Sequence, residues 1–178
     1  MKSVLISIQP KWVKKIVNGE KTIEVRKNKP NLATPFKCYI YCTQNKKGQD
    51  PLLIDTTKYA DFGDYRNAFT CDVDGKTYCY IANGMVIGEF TCDKIANQNE
   101  TIRGNTCVSV EELQEYSNGK DLYFWHISDL KIYDKPKEIT EFKKAQYDYG
   151  RIHIPPRDMK RPFQSWGYIE DIKKEGDN

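Results

Sequence analysis

Residues 3–26 read Ser3-Val4-Leu5-Ile6-Ser7-Ile8-Gln9-Pro10-Lys11-Trp12-Val13-Lys14-Lys15-Ile16-Val17-Asn18-Gly19-Glu20-Lys21-Thr22-Ile23-Glu24-Val25-Arg26, and three patterns succeed one another within them. Ser3 to Ile8 is an apolar run of strand length. Pro10 then opens a helix, because proline at the first helical position gives up a donor that would go unsatisfied and presets φ. Trp12, Val13, Ile16 and Val17 form one apolar stripe on that helix, Lys11, Lys14 and Lys15 line much of the rest, and Asn18-Gly19 supplies a left-handed stop. From Thr22 the period becomes two. Ile23 and Val25 face one way and Thr22, Glu24 and Arg26 the other, which predicts a half-buried strand.

Strand signals dominate outward from this stretch. Phe36 to Cys42 is aromatic and β-branched enough for another strand, followed by an irregular excursion over 43–68. Asp74-Gly75 and Asn83-Gly84 are two-residue hairpin turns between runs near 69–73, 76–82 and 85–92, predicting a three-strand meander. Ser109 and Glu112 form a capping box that starts a short helix ending near Gly119, anchored by Leu113 and Tyr116. Leu122 to Tyr133 read as one long bent strand or two consecutive ones, and Phe163 to Ile169 as a loop delivering a last strand.

Many short strands and only two short helices predict a mainly β (α+β) fold, drawn as a small closed barrel because closure removes exposed edges. A single domain over 1–172 is expected, with a frayed, charged tail at 173–178. No apolar run approaches the roughly 18–20 residues that span a bilayer, and the N-terminus lacks a signal peptide's apolar stretch, so a cytoplasmic protein without membrane partners is expected.

The six cysteines include no CxxC and no Cys/His cluster, so no metal is expected, nor any cofactor. Cys71 and Cys79 flank Asp74-Gly75 in a register that points them to opposite sides of the sheet, which argues against a disulfide. Cys38 and Cys42 share a strand face with Ile40 and read as buried, reduced thiols. The formal net charge of +3 hides an asymmetry: residues 1–47 hold eleven Lys/Arg and two acids, a local +9, leaving −6 on the rest. A basic segment of this kind suits a phosphate-bearing partner, or forms a solvated lysine-rich face.

The run Leu5 to Trp12, the ungapped Gly19-Glu20-Lys21-Thr22-Ile23-Glu24-Val25-Arg26, Gly84 to Phe90, Trp125 to Leu130, and Arg161-Pro162-Phe163-Gln164-Ser165-Trp166 together resemble the ASCH family, named for activating signal cointegrator 1 homology. The resemblance implies a PUA-like β-barrel with the first helix packed at one mouth, and it makes 43–83 and 93–108 family-variable insertions. It implies binding of RNA or another nucleic acid in a cleft beside the G-x-K-T-x-E-x-R strand, in RNA metabolism or translation regulation. Some small members of the family hydrolyse N4-acylated cytidines. Those relatives resemble G-x-K-T-x-T-x-R, so Lys21 carries over but Glu24 stands where they have a threonine, and their third acid has no counterpart identified here.

Two readings of the residues stand side by side. In the first, Lys11, Lys21, Thr22, Glu24, Arg26, Ser165 and Trp166 bind nucleic acid: Arg26 suits bidentate phosphate or carboxylate recognition, Lys21 is a point charge, and an aromatic ring serves as a base platform. Ser165 and Trp166 rank ahead of Trp125 and Trp12, which their neighbours place in the core, because they are read in a loop. In the second, Lys21 and Glu24 hydrolyse a modified nucleoside or RNA, Glu24 acting as general base on water. His126 is a secondary candidate whose neighbours Leu122 and Phe124 suggest a structural role.

Overall fold

A computed structural model describes residues 2–44, 47, 49–55, 72–73, 76–77, 79–149 and 152–171. Strand β1 (Lys2–Ile8) leads through helix α1 (Pro10–Val17) to β2 (Ile23–Arg26) and β3 (Phe36–Cys42). Then come β4 (Leu53–Asp55), β5 (Asp72–Val73), β6 (Lys76–Thr77), β7 (Cys79–Ile81), β8 (Val86–Cys92), β9 (Ile95–Asn97) and helix α2 (Val110–Ser117). The chain closes with β10 (Tyr123–His126), β11 (Ser128–Lys137), β12 (Lys143–Lys144), β13 (Tyr147–Tyr149), β14 (Ile152–Ile154), β15 (Arg157–Asp158) and β16 (Trp166–Glu170). Among these residues no helix is long and apolar enough to cross a membrane.

Seven strands form the main sheet in the order β11-β8-β3-β1-β16-β12-β15, and β2-β10-β9 form a second sheet. β1 sits at the centre, parallel to β3 and antiparallel to β16. Its alternate residues serve two cores. Val4, Ile6 and Ile8 pack with Cys38, Ile40, Ile87, Phe90 and Trp125, whereas Leu5 packs with Tyr39, Phe142, Met159 and Ile169 on the opposite face. A strand covered on both faces reads as an uninterrupted apolar run, which is why residues 3–8 do not alternate.

The mainly β expectation holds, but the closed barrel does not. Among the described residues both sheets are open, with β11 and β15 at the edges of one and β2 and β9 at the edges of the other. Closure needs a continuous, regularly staggered ladder. Here the β11–β8 pairing slips between Ser128 and Lys131 and again between Ile132 and Lys137, next to Asp129 at φ +48. At the other edge β12 and β15 are only two residues long. The chain instead passes between the sheets at corners: β8 and β9 lie in different sheets, as do β10 and β11, which are the two consecutive strands read over 122–133.

The meander is also corrected. Asp72 pairs with Thr77 and Val73 with Lys76, the register of a two-residue turn, although Asp74-Gly75 itself lies outside the described residues. β7, however, pairs with β4 and β8 with β3, so Asn83-Gly84 turns the chain without joining its two flanking strands. Asn83 is instead tied sideways, accepting from the Leu52 amide at 2.7 Å and donating to the Thr43 carbonyl at 3.2 Å.

Cys38 and Cys42 are fully buried free thiols, and burial pushes Cys42 up to about 12, as an inert core cysteine requires. Cys79 departs from the expectation and is disulfide-bonded. The register that argued against this assumed one strand over 76–82, whereas β6 ends at Thr77 and β7 pairs with β4. Cys71, most of the 43–83 excursion and the 173–178 tail lie outside the described residues.

Candidate functional site

β2 carries the expected alternation, yet all four of its residues are buried. Its polar face is covered too: Lys21 is 3%, Glu24 5% and Arg26 9% exposed. Charges removed from water demand partners, and these three supply one another. Glu24 stands between the two cations, Oε1 at 3.1 Å from Arg26 Nη2 and Oε2 at 3.4 Å from Lys21 Nζ.

Backbone and hydroxyl groups from distant segments complete the arrangement. Lys21 Nζ donates to the Thr106 carbonyl at 2.7 Å, Arg26 Nη2 to the Ser7 carbonyl at 2.7 Å and Nη1 to Ser165 Oγ at 3.2 Å. Thr22 does not join them. It locks the neighbouring loop, its hydroxyl accepting from the Asn105 amide at 2.9 Å. Gly104 lets that loop come close, since a side chain there would begin 2.7 Å from Thr22 Oγ1 at a φ of +142.

Lys21, Glu24 and Arg26 line the floor of a cleft of about 790 Å³, with Ser7, Trp12 and Tyr116 among its walls. Two atoms of these floor side chains are buried without a hydrogen-bond partner, Glu24 Oε2 and Arg26 Nε. Glu24 Oε2 has the Lys21 charge beside it but not the geometry of a hydrogen bond. Both atoms are enclosed within the charged cluster beneath the cleft, where groups without hydrogen bonds are costly.

The other expected residues are distributed unevenly. Lys11 lines the cleft, with Nζ 4.4 Å from the centre of the Trp12 ring. Ser165 holds Arg26 from behind, while its neighbour Gln164 faces the cleft. Trp166 is the first residue of β16, not part of a loop, and does not line the cleft. Its indole donates to Asn28 at 2.7 Å and its ring stands edge-on to Trp125 and Tyr168. His126 is paired with Asp93 at 2.7 Å, away from the cleft.

Three features of the cleft are not apparent from local sequence. Trp12 belongs to the apolar stripe of α1, but only Val13, Ile16 and Val17 of that stripe are buried, and Trp12 sits on the cleft wall with Lys21 Nζ 5.2 Å from its ring centre. Tyr116, expected as an anchor, is 42% exposed at the cleft, and α2 buries none of its residues. Thr106 and Val108 come from the stretch that resembles a variable insertion. The Leu113/Tyr116 spacing is legible, but nothing local says which surface such a stripe covers. Among the described residues no group of His, Cys, Asp or Glu could hold a metal ion.

Burial pushes the Lys21 ammonium below its ordinary value of 10.5, with the Glu24 carboxylate opposing the shift. The folded protein therefore gives up this proton at lower pH than the unfolded chain. Between the lowered value and 10.5 the unfolded state binds more protons, so this group makes stability rise with pH there. Thermal melts of wild type and Lys21→Met from neutral pH to about 10.5 are expected to show the stability difference moving in favour of wild type as pH rises. A pH-independent difference would contradict the desolvated lysine.

Fold and site together define a small, mainly β protein with a charged, ligand-sized cleft beside its first helix. The chain belongs to the ASCH family: the ASCH domain model matches residues 6–146. Among solved structures it is similar to the ASCH protein of Zymomonas mobilis, at 19% identity over 77% of this chain and 73% of that one, with a TM-score of 0.47. A tyrosine-to-phenylalanine mutant of that protein gives 18% identity, 78% and 77% coverage and a TM-score of 0.48. A search of curated proteins finds no match.

Proposed function

We propose that the cleft binds RNA or another nucleic acid by seating one nucleotide unit against Lys21, Glu24 and Arg26. The observation that carries this reading is the buried cluster of Lys21, Glu24 and Arg26 lining one cleft of about 790 Å³ together with Trp12 and Tyr116. Every nucleobase offers an N–H or amino donor beside an acceptor on one edge, which complements a cleft lined by a carboxylate and two cations. Trp12 and Tyr116 supply ring faces in the same cleft, and Lys11 supplies charge for the phosphate. The ASCH family's association with RNA agrees with it.

Lys21→Ala is expected to weaken binding by about tenfold or more, the effect of removing one charge-assisted hydrogen bond and disordering its neighbours. Isothermal titration with cytidine 5′-monophosphate and with short RNA at low salt checks this. Equal affinities for wild type and variant would place the ligand outside the cleft.

A second reading is hydrolysis of an amide on a modified nucleoside such as an N4-acylcytidine, or of RNA. The observation that favours it is the Glu24 carboxylate held 3.4 Å from the buried Lys21 ammonium. For the amide, Glu24 takes the proton from water as it adds to the carbonyl, Lys21 steadies the developing oxyanion, and the adduct collapses with the C–N bond breaking as Glu24 passes that proton to the leaving amine. Product analysis with wild type and Glu24→Gln separates the readings: turnover lost in Glu24→Gln, with binding kept, supports hydrolysis.

A further inference from the structure

Beyond Arg26 the chain continues as Lys27-Asn28-Lys29, from the rim of the cleft outward. We propose that the partner is a single-stranded nucleic acid, not a free nucleoside, with one nucleotide in the cleft and the strand leaving it over Lys27 and Lys29. This rests on the nucleotide reading above and adds a footprint that runs from the cleft's rim at Lys27 outward to Lys29.

Each lysine sits with an aromatic ring. Lys27 lines the cleft with Nζ 4.9 Å from the Tyr116 ring centre, and Lys29 Nζ is 5.5 Å from that of Tyr123. Tyr123 pairs directly with Arg26 across the β2–β10 ladder, so the second couple begins beside the floor arginine. Among the described residues neither lysine is in an ion pair, in contrast to Lys15 and Lys37. A charge placed over a partly open ring offers both a phosphate contact and a stacking face, the combination that tracks single strands without reading sequence.

The segment is held in place before any ligand arrives. The Trp166 indole donates to Asn28 Oδ1 at 2.7 Å, the Asn31 amide donates to Tyr168 Oη at 2.7 Å, and Pro30 is buried. This is a use for Trp166 that does not need it in the cleft. α2 presents Glu112 and Glu115 to the cleft beside Tyr116, and these carboxylates leave Lys27 and Lys29 as the cations a phosphate meets on this side.

The test compares cytidine 5′-monophosphate with an oligocytidylate of about eight nucleotides, for wild type, Lys21→Ala and the double variant Lys27→Ala/Lys29→Ala, at several salt concentrations. Wild type is expected to bind the oligonucleotide at least about tenfold more tightly than the mononucleotide. The double variant is expected to collapse that ratio toward one and to reduce the log–log salt slope by about 0.7 for each phosphate no longer neutralised. If both ligands bind equally and still depend on Lys21, the strand footprint is wrong and the single-nucleotide reading stands. A tight oligonucleotide whose advantage survives in the double variant also overturns this path. If neither ligand binds, both readings fall.

Discussion

Glu24→Ala is expected to destabilise the protein by about 3–5 kcal/mol, the range for breaking a buried ion pair by removing one partner. The carboxylate lies between two cations that are themselves almost fully buried, so its loss leaves Lys21 and Arg26 facing each other without a counter-charge. Arg26 keeps the Ser7 carbonyl and Ser165 hydroxyl, and Lys21 keeps the Thr106 carbonyl. Those partners satisfy donors but not charge. Glu24→Gln preserves shape and an acceptor, and is expected to lose roughly half as much. Urea denaturation of the three proteins checks the order, and a loss below about 1 kcal/mol for the alanine variant would show that water reaches the cluster. Nucleotide binding should fall in the alanine variant.

Trp125→Ala is expected to be similarly damaging, about 3–5 kcal/mol, because a large ring is removed from a fully enclosed site. Trp125 is 0% exposed and stands edge-on to Phe36 at 5.9 Å and to Trp166 at 5.7 Å. It belongs to β10 of the small sheet yet packs in the core of the large one, so it links two sheets that share no ladder. Its buried indole N–H has no partner. Trp125→Phe therefore gives up volume but also removes an unsatisfied donor, and a smaller loss of about 1–2 kcal/mol is expected. If phenylalanine were as damaging as alanine, the packing at this site would require the full indole shape and tolerate no smaller ring.

The local elements are legible in the sequence because local physics sets them. Pro10 and Gly19 bound α1, the Ser109/Glu112 capping box starts α2, and the alternation over 22–26 marks β2. Partner choice is not legible. The Asn83-Gly84 turn is present, with Gly84 at φ +81, but the strands it separates pair with β3 and β4, set by tertiary packing. A barrel follows from the need to hide edges only if nothing else hides them, and the molecule meets part of that need with two-residue strands that offer little to a neighbour. At the site the sequence shows which residues share a polar face, not that the face is buried. That burial comes from Thr106 and Ser165, 85 and 139 positions away from the side chains they hold.

If the cleft over Lys21, Glu24 and Arg26 is where a nucleotide binds, the most direct test is a titration of isotope-labelled protein with cytidine 5′-monophosphate, followed by amide and side-chain chemical shifts. Saturable changes are expected at Trp12, Lys21, Glu24, Arg26 and Tyr116, with the far core around Tyr39 and Phe142 unmoved. Changes centred on that far core or along β11, or none at the cleft at saturating nucleotide, would contradict binding there.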